Sequence, residues 1–186
     1  MKVLFINACV REHSRTLSLC HAYIKKRLSE DDVAVHEVSL QKEELVLIDG
    51  KALAERDRDI KKQNFSAKLY DDAKAFAAAD LILIAAPYWD CSFPALLKIY
   101  FENICVNGLT FFYRDDGIPA SLCNANKLVY ITTSGGYLAK PNSLELYLQE
   151  LCHLLGIPEM SFYSAQGLDI IGNDVDQIMS KAIESF

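Results

Sequence analysis

Several of the signatures that usually betray a function are missing from this chain. Its cysteines (Cys9, Cys20, Cys91, Cys105, Cys123 and Cys152) contain no C-x-x-C pair, so neither a zinc ribbon nor a thioredoxin-type pair is expected, and reduced thiols acting as small hydrophobes are the simplest reading. His13, His21, His36 and His153 lack metal-ligand spacing. The longest apolar run, Leu81–Pro87, falls far short of the roughly 20 residues a bilayer demands, so no membrane association is expected. No charged leader, apolar core and cleavage site precede the first strand-like run, which points to a cytoplasmic protein. Basic residues are outnumbered, 19 Lys and Arg against 25 Asp and Glu for a net charge of -6, which argues against a nucleic-acid partner. Repeats and low-complexity segments are absent. So are G-x-G-x-x-G and G-x-x-x-x-G-K-S/T, the phosphate loops of dinucleotide folds and P-loop enzymes.

What is present is an ordinary globular composition, 51% hydrophobic and 24% charged over 186 residues, expected to form one domain spanning residues 1–186. Strand-like runs occur at Val3–Ile6, Val33–Val38, Leu81–Ala86, Leu128–Thr132 and Met160–Ala165. Most are continuously apolar, the mark of parallel strands covered on both faces. Helical stripes fall between them: Leu17, Cys20, Ile24 and Leu28; Leu69, Ala73, Phe76 and Ala77; Ala95–Val106; Leu144, Tyr147, Leu151 and Leu154 ahead of Gly156 and Pro158; and a terminal helix over Asn173–Phe186. Five strands alternating with helices predict an α/β fold, an open, doubly wound, five-stranded parallel sheet with helices on both faces. The charged region 40–63 reads as an irregular, solvated insertion.

In such a sheet, ligands bind beyond the carboxyl ends of the strands, where the strand order reverses. Three loops qualify. The first, Ala8–Arg15, leads into a helix start with Ser14, Arg15 and Thr16, where free N–H groups, hydroxyls and a cation suit a terminal phosphate. A plain helix cap would use the same residues. The second, Pro87-Tyr88-Trp89-Asp90-Cys91-Ser92-Phe93-Pro94, holds the only Trp of the chain; it suits a flat ring, or else plugs the space between helices. The third, Thr133-Ser134-Gly135-Gly136-Tyr137, lets a backbone approach a ligand closely, or else makes a tight turn.

Together these segments resemble the flavodoxin-like NAD(P)H-quinone reductase and FMN-dependent azoreductase family. The resemblance is carried by Ala86-Pro87-Tyr88-Trp89 through Phe93-Pro94-Ala95-Leu96-Leu97-Lys98, by Gly108-Leu109-Thr110-Phe111 with Tyr113 (the family's G-x-T-F-x-Y), and by Thr133-Ser134-Gly135-Gly136 (its T-S-x-G-G). It implies a flavodoxin-like fold and a non-covalent FMN, with FAD less favoured, served by NAD(P)H as co-substrate. Cys9, Ser14, Arg15 and Thr16 would take the phosphate. Pro87, Tyr88, Trp89, Asp90 and Cys91 would lie along the isoalloxazine, and Thr133, Ser134, Gly135 and Gly136 at its pyrimidine side. It also implies a homodimer with Ala95–Val106 in the interface, and a quinone, azo or nitroaromatic acceptor, a small aromatic molecule. No side chain is nominated as catalytic.

The chain departs from the family where Asp90-Cys91 replaces Trp-Phe or Asn-Phe, since an ionised carboxylate has no N–H to offer a flavin carbonyl. Cys9 stands for a family Ser. Only Tyr137 comes after Gly136 where quinone reductases carry a Tyr and a His, and the loops that cover the substrate are expected to be reduced. Three alternatives stay open. One is a flavodoxin-type electron carrier, although its T-x-S/T-G-x-S/T loop is absent. Another is a flavin-free binding protein that keeps the fold. The third is thiol chemistry at Cys9 and Cys91, on loops expected to converge, with the pKa lowered by a helix N-terminus.

Overall fold

The computed structural model describes residues 1–29 and 32–186. Its elements run β1 (Lys2–Asn7), α1 (Arg15–Arg27), β2 (Ala34–Ser39), α2 (Gly50–Lys62), α3 (Asp71–Ala78), β3 (Leu81–Ala85), α4 (Ala95–Ile104), β4 (Phe111–Tyr113), β5 (Pro119–Ser121), β6 (Lys127–Thr133), α5 (Ser143–Leu155), β7 (Glu159–Ala165) and α6 (Val175–Glu184). A short 3-10 turn, Lys68–Tyr70, leads into α3.

The five expected strands form one parallel sheet in the order β2-β1-β3-β6-β7. Their apolar runs are continuous because each face has its own core. Leu4, Ile6, Ile82, Ile84, Leu128 and Tyr130 pack towards α3, α4 and α5. Val3, Phe5, Leu83, Ala85, Val129 and Ile131 pack towards α1 and α6. The central strand β3 is buried at every residue. By contrast β2 lies at a sheet edge and is exposed from Ala34 to Glu37, so its sequence alternates rather than running apolar.

Region 40–63 is irregular only as far as Asp49; from Gly50 to Lys62 it is helical, contrary to expectation. Asp49 accepts a hydrogen bond from the Ala52 N–H at 2.8 Å and caps α2, which ends at Gln63 in the left-handed region (φ 51). None of its residues is fully buried; its half-buried face mixes Ala52, Arg56, Asp59 and Ile60, too polar to read as a hydrophobic stripe. Polar contacts fasten it. The Tyr70 hydroxyl donates to Asp59 at 2.8 Å and Arg56 donates to the Glu102 carbonyl at 2.9 Å. Burial first, and Asp59 second, push the Tyr70 phenol up to about 12. Asn103 on α4 clamps the segment ahead of α2 by accepting from the Val46 N–H (2.8 Å) and donating to its carbonyl (2.6 Å).

The hairpin β4–β5 is an addition outside the main sheet. Thr110, fully buried, explains the G-x-T-F pattern locally: its hydroxyl donates to the Ile104 carbonyl (2.8 Å) and accepts from the Val106 N–H (3.1 Å). It stitches the end of α4 to the start of the hairpin. Gly108, at φ +84, makes the turn that allows this.

Candidate functional site

Strands β1, β3 and β6 end at one edge of the sheet, and the chain leaves β1 and β3 towards opposite faces, so a crevice opens between the loops beyond them. It is a cavity of about 410 Å³, within the range of small-molecule sites. The first loop contributes Val10, Arg11, His13, Ser14, Arg15 and Thr16; the second contributes Pro87, Tyr88 and Trp89; the third contributes Thr133, Ser134 and Gly135. Leu168 and Asp169, from the loop after β7, complete the wall. Sequence reasoning missed this fourth contribution, and nothing in the local sequence around Asp169 marks it.

At one end of the cavity lies the N-terminus of α1. Ser14 is its N-cap: the hydroxyl accepts from the Leu17 N–H at 3.2 Å. The N–H groups of Arg15 and Thr16 are left without an acceptor among the described residues. Those donors, the helix dipole and the guanidinium of Arg15 favour an anion here. The Thr16 hydroxyl is committed elsewhere: it lies 2.6 Å from the Thr133 hydroxyl and ties α1 to the end of β6.

Cys9 is not on this wall. Its N–H donates to the Asn7 side chain (3.0 Å), its carbonyl accepts from Gln41 (2.7 Å), and its buried thiol faces the Ala85 carbonyl at 3.6 Å. Burial pushes the thiol up to about 11. The helix N-terminus therefore does not activate it, and the expectation of a lowered pKa is overturned. Cys91, on the other loop, is exposed, so the two sulfurs lie in different surroundings.

The aromatic loop divides its duties. Tyr88 and Trp89 face the cavity, and the Tyr88 N–H is held by the Thr133 carbonyl at 3.0 Å. Phe93 turns inwards as a plug, its ring 5.6 Å from Phe101 and 5.3 Å from Tyr147. Asp90 and Cys91 contribute nothing to the wall. They form the tip of a tight hairpin in which Trp89 and Ser92 exchange both backbone hydrogen bonds, at 2.9 and 2.8 Å. Both tip residues are left-handed, at φ 49 and φ 63, as a two-residue turn of this kind requires. Asp tolerates that region better than Cys, so strain is stored at residue 91. Burial first, and the neighbouring Cys91 second, raise the Tyr88 phenol above its ordinary range.

On the third loop, Ser134 is buried and its hydroxyl donates to the Gly136 carbonyl at 2.7 Å. The N–H groups of Gly135 and Gly136 have no acceptor among the described residues. A Cβ at Gly135 would stand 2.4 Å from Oδ2 of Asp169, so a larger residue there would have to push that exposed carboxylate aside. Gly136 has open space around it and does not line the cavity, one residue beyond its edge.

These features define the class: a doubly wound α/β protein with a cleft at its switch point, anion-favouring at one end and aromatic at the other. The family described as having a flavodoxin-like fold matches residues 1–186, and the chain belongs to that family. An FMN-dependent NADH:quinone oxidoreductase of Coprothermobacter proteolyticus is 34% identical, the match covering 98% of this chain and 94% of that protein. The azoreductase of Bacillus anthracis str. Sterne superposes with a TM-score of 0.84 at 22% identity, covering 99% of this chain and 95% of that one. An FMN-dependent NADH-azoreductase from Bacillus anthracis str. Ames Ancestor, solved in complex with FMN, superposes with a TM-score of 0.83 at 20% identity, covering 99% and 94%. At those identities the two structures speak to the fold.

The loops can be tested for strain and for titration. Replacing Cys91 with Gly relieves the left-handed strain and raises stability by about 1 kcal/mol, read as a higher urea midpoint at unchanged slope. The second test concerns pH. An unfolded Cys9 thiol ionises near its ordinary value of 9.0, whereas the folded one stays protonated to about 11. Ionisation thus favours the unfolded chain in between, and stability is complete below pH 9 and falls as pH rises through that window. Cys9→Ala lowers the slope of unfolding free energy against pH over the same window by the share of one thiol, since the buried Cys105, Cys123 and Cys152 are raised there too.

Proposed function

We propose that this protein is an FMN-dependent NAD(P)H oxidoreductase acting on quinone, azo or nitroaromatic acceptors. The observation that carries the reading is the single cleft in which unpaired α1 N–H groups and Arg15 face Tyr88 and Trp89. Its two ends differ as the two ends of FMN differ, and its volume, about 410 Å³, suits one such molecule. The curated relatives that this chain covers to 94% of their length support the assignment through their names.

The residues fit the group. Ser14, Arg15 and the N–H groups of Arg15 and Thr16 would hold the phosphate, with Cys9 acting only by shaping the loop behind them. Pro87, Tyr88 and Trp89 would line the ring, while Asp90 and Cys91 hold the hairpin that presents them. Thr133 and Ser134 would fix the pyrimidine side, where the free N–H groups of Gly135 and Gly136 would stabilise negative charge on ring oxygens. When bound, FMN supplies hydride acceptance from the nicotinamide and two-electron delivery to the acceptor. The protein's own contribution is to bind, orient and bias the electrostatics, and no side chain need hold a proton in transit.

The same reading takes residues 1–186 as one domain, because strands from both ends of the chain share one sheet. It takes the protein as cytoplasmic, and no helix among the described residues is long and apolar enough to cross a membrane. It also takes the working form as a homodimer, supported by a largely apolar groove of about 270 Å³ between α4 and α5, where Tyr147 and Leu154 are partly exposed above the buried Phe101. Sedimentation of the purified protein is expected to give twice the monomer mass. A monomer at micromolar concentration would remove the dimer from the proposal.

Trp89 is the only Trp, so its fluorescence reports on the ring end directly. FMN is expected to quench it saturably, and NADH or NADPH to bleach the bound flavin's visible absorbance. Tyr88→Ala, which removes a ring from the cavity wall, is expected to weaken FMN at least tenfold by the same quenching. Flavin that binds but stays oxidised with both nicotinamides would favour an electron carrier, and no binding at micromolar FMN would favour a flavin-free protein.

A further inference from the structure

The cavity that Arg15 enters also contains a carboxylate. Asp169 lies beyond β7, and its N–H donates to the Gly135 carbonyl at 3.1 Å. Its side chain lies against Gly135 so closely that a Cβ there would stand 2.4 Å from Oδ2. Its Oδ1 lies 3.3 Å from the Arg15 guanidinium. Arg15 is half exposed and Asp169 more so, at 49% and 77% of their side-chain surface. The pair therefore contributes little to folding, and nothing else in the fold calls for an acid at the mouth of an anion seat.

We infer that Asp169 is an internal competitor for Arg15, occupying the phosphate seat's cation until a phosphate monoester displaces it. The inference rests on the flavin reading and names the residue that sets how tightly that site holds its phosphate. A phosphate carrying nearly two negative charges must both take Arg15 from Asp169 and sit near a carboxylate that repels it. The seat's affinity is thereby held below what its N–H groups and cation would otherwise provide. Anions that bring only charge are disfavoured, while a ligand that also stacks on Tyr88 and Trp89 recovers the difference. The absence of a Cβ at Gly135 leaves the competitor room to reach across it.

The test compares FMN with riboflavin, which has the same ring and ribityl chain but no phosphate, by quenching of Trp89 in the full-length chain. Asp169→Asn is expected to tighten FMN about three- to tenfold at low salt, the size of one charge acting on a dianion across a wet cleft. The gain should shrink at high salt, and riboflavin affinity should be unchanged. Asp169→Ser should behave alike, and Asp169→Glu should keep wild-type affinity. Because Arg15 is the side-chain partner of Asp169 and the residue is exposed, the variants are expected to fold, and thermal unfolding checks that. FMN affinity unchanged or weakened in both neutral variants overturns the competitor and leaves the flavin site standing. Equal tightening of riboflavin overturns it too. Failure of the wild type and all variants to bind either flavin overturns the flavin reading and this inference with it.

Discussion

Strands β1 and β3 pair in parallel from Val3 opposite Leu81 to Asn7 opposite Ala85, and the chain leaves both at the same edge of the sheet. From β1 it crosses to one face and becomes α1, and from β3 it leads to α4 on the other. The crevice between those departures is where no side chain of the sheet can fill space, and every feature of the candidate site is arranged around it. The Ala8 N–H still bonds to the Ala85 carbonyl (2.9 Å), so the pairing reaches into the first loop before the chain turns. That fixes where α1 begins and where its unpaired N–H groups point.

The neighbouring pairing of β3 with β6 supplies the second half of the geometry. It brings Thr133 alongside the aromatic loop, so that its carbonyl holds Tyr88 while its hydroxyl meets Thr16. One residue therefore joins three loops. With those contacts made, the aromatic loop no longer needs its own core. It can send Phe93 inwards to the helices and leave Tyr88 and Trp89 on the cavity wall. The strained pair Asp90 and Cys91 is the cost of turning the chain within two residues. The charges obey the same economy of space: a cation aimed at a future anion is left beside an acid of the same chain.

Outside the crevice, the additions to the sheet bury little beyond Phe111 and part of Ile60 and are fastened largely by polar contacts. Helix α2 has no fully buried residue; Tyr70 ties it to the turn ahead of α3, while Arg56 and Asn103 hold it and the preceding loop against α4. The β4–β5 hairpin is anchored through Thr110 in the same manner. Both extras lean on α4, whose apolar residues Leu97, Tyr100, Phe101 and Ile104 are buried in the core. A helix so well seated can carry peripheral segments at little cost to the sheet.

Much of this was legible in one dimension. The central strands are apolar without interruption because both faces are covered, and the loops beyond them must lie at the carboxyl edge. That is why Ser14, Arg15, Tyr88, Trp89, Thr133, Ser134 and Gly135 could be named from sequence, and why the G-x-T-F and T-S-x-G-G segments pointed to the family. Helix α2 was illegible because its half-buried face mixes Ala52 and Ile60 with Arg56 and Asp59, which gives no clean apolar period. The commitment of Thr16 to Thr133, the withdrawal of Cys9 behind its loop, and the left-handed tip at Asp90 and Cys91 depend on which groups meet across strands, and local pattern does not encode that. Asp169 is the clearest case. A lone acid in a loop says nothing by itself, and it acquires a role only because β7 pairs beside β6 and carries it over Gly135 to Arg15. The sequence by itself determined the strands, their covered faces and the edge where ligands can bind, since these are set by hydrophobic pattern and chain direction. The tertiary structure decided which polar groups at that edge remain free, because each can be satisfied only by partners that folding brings from elsewhere in the chain.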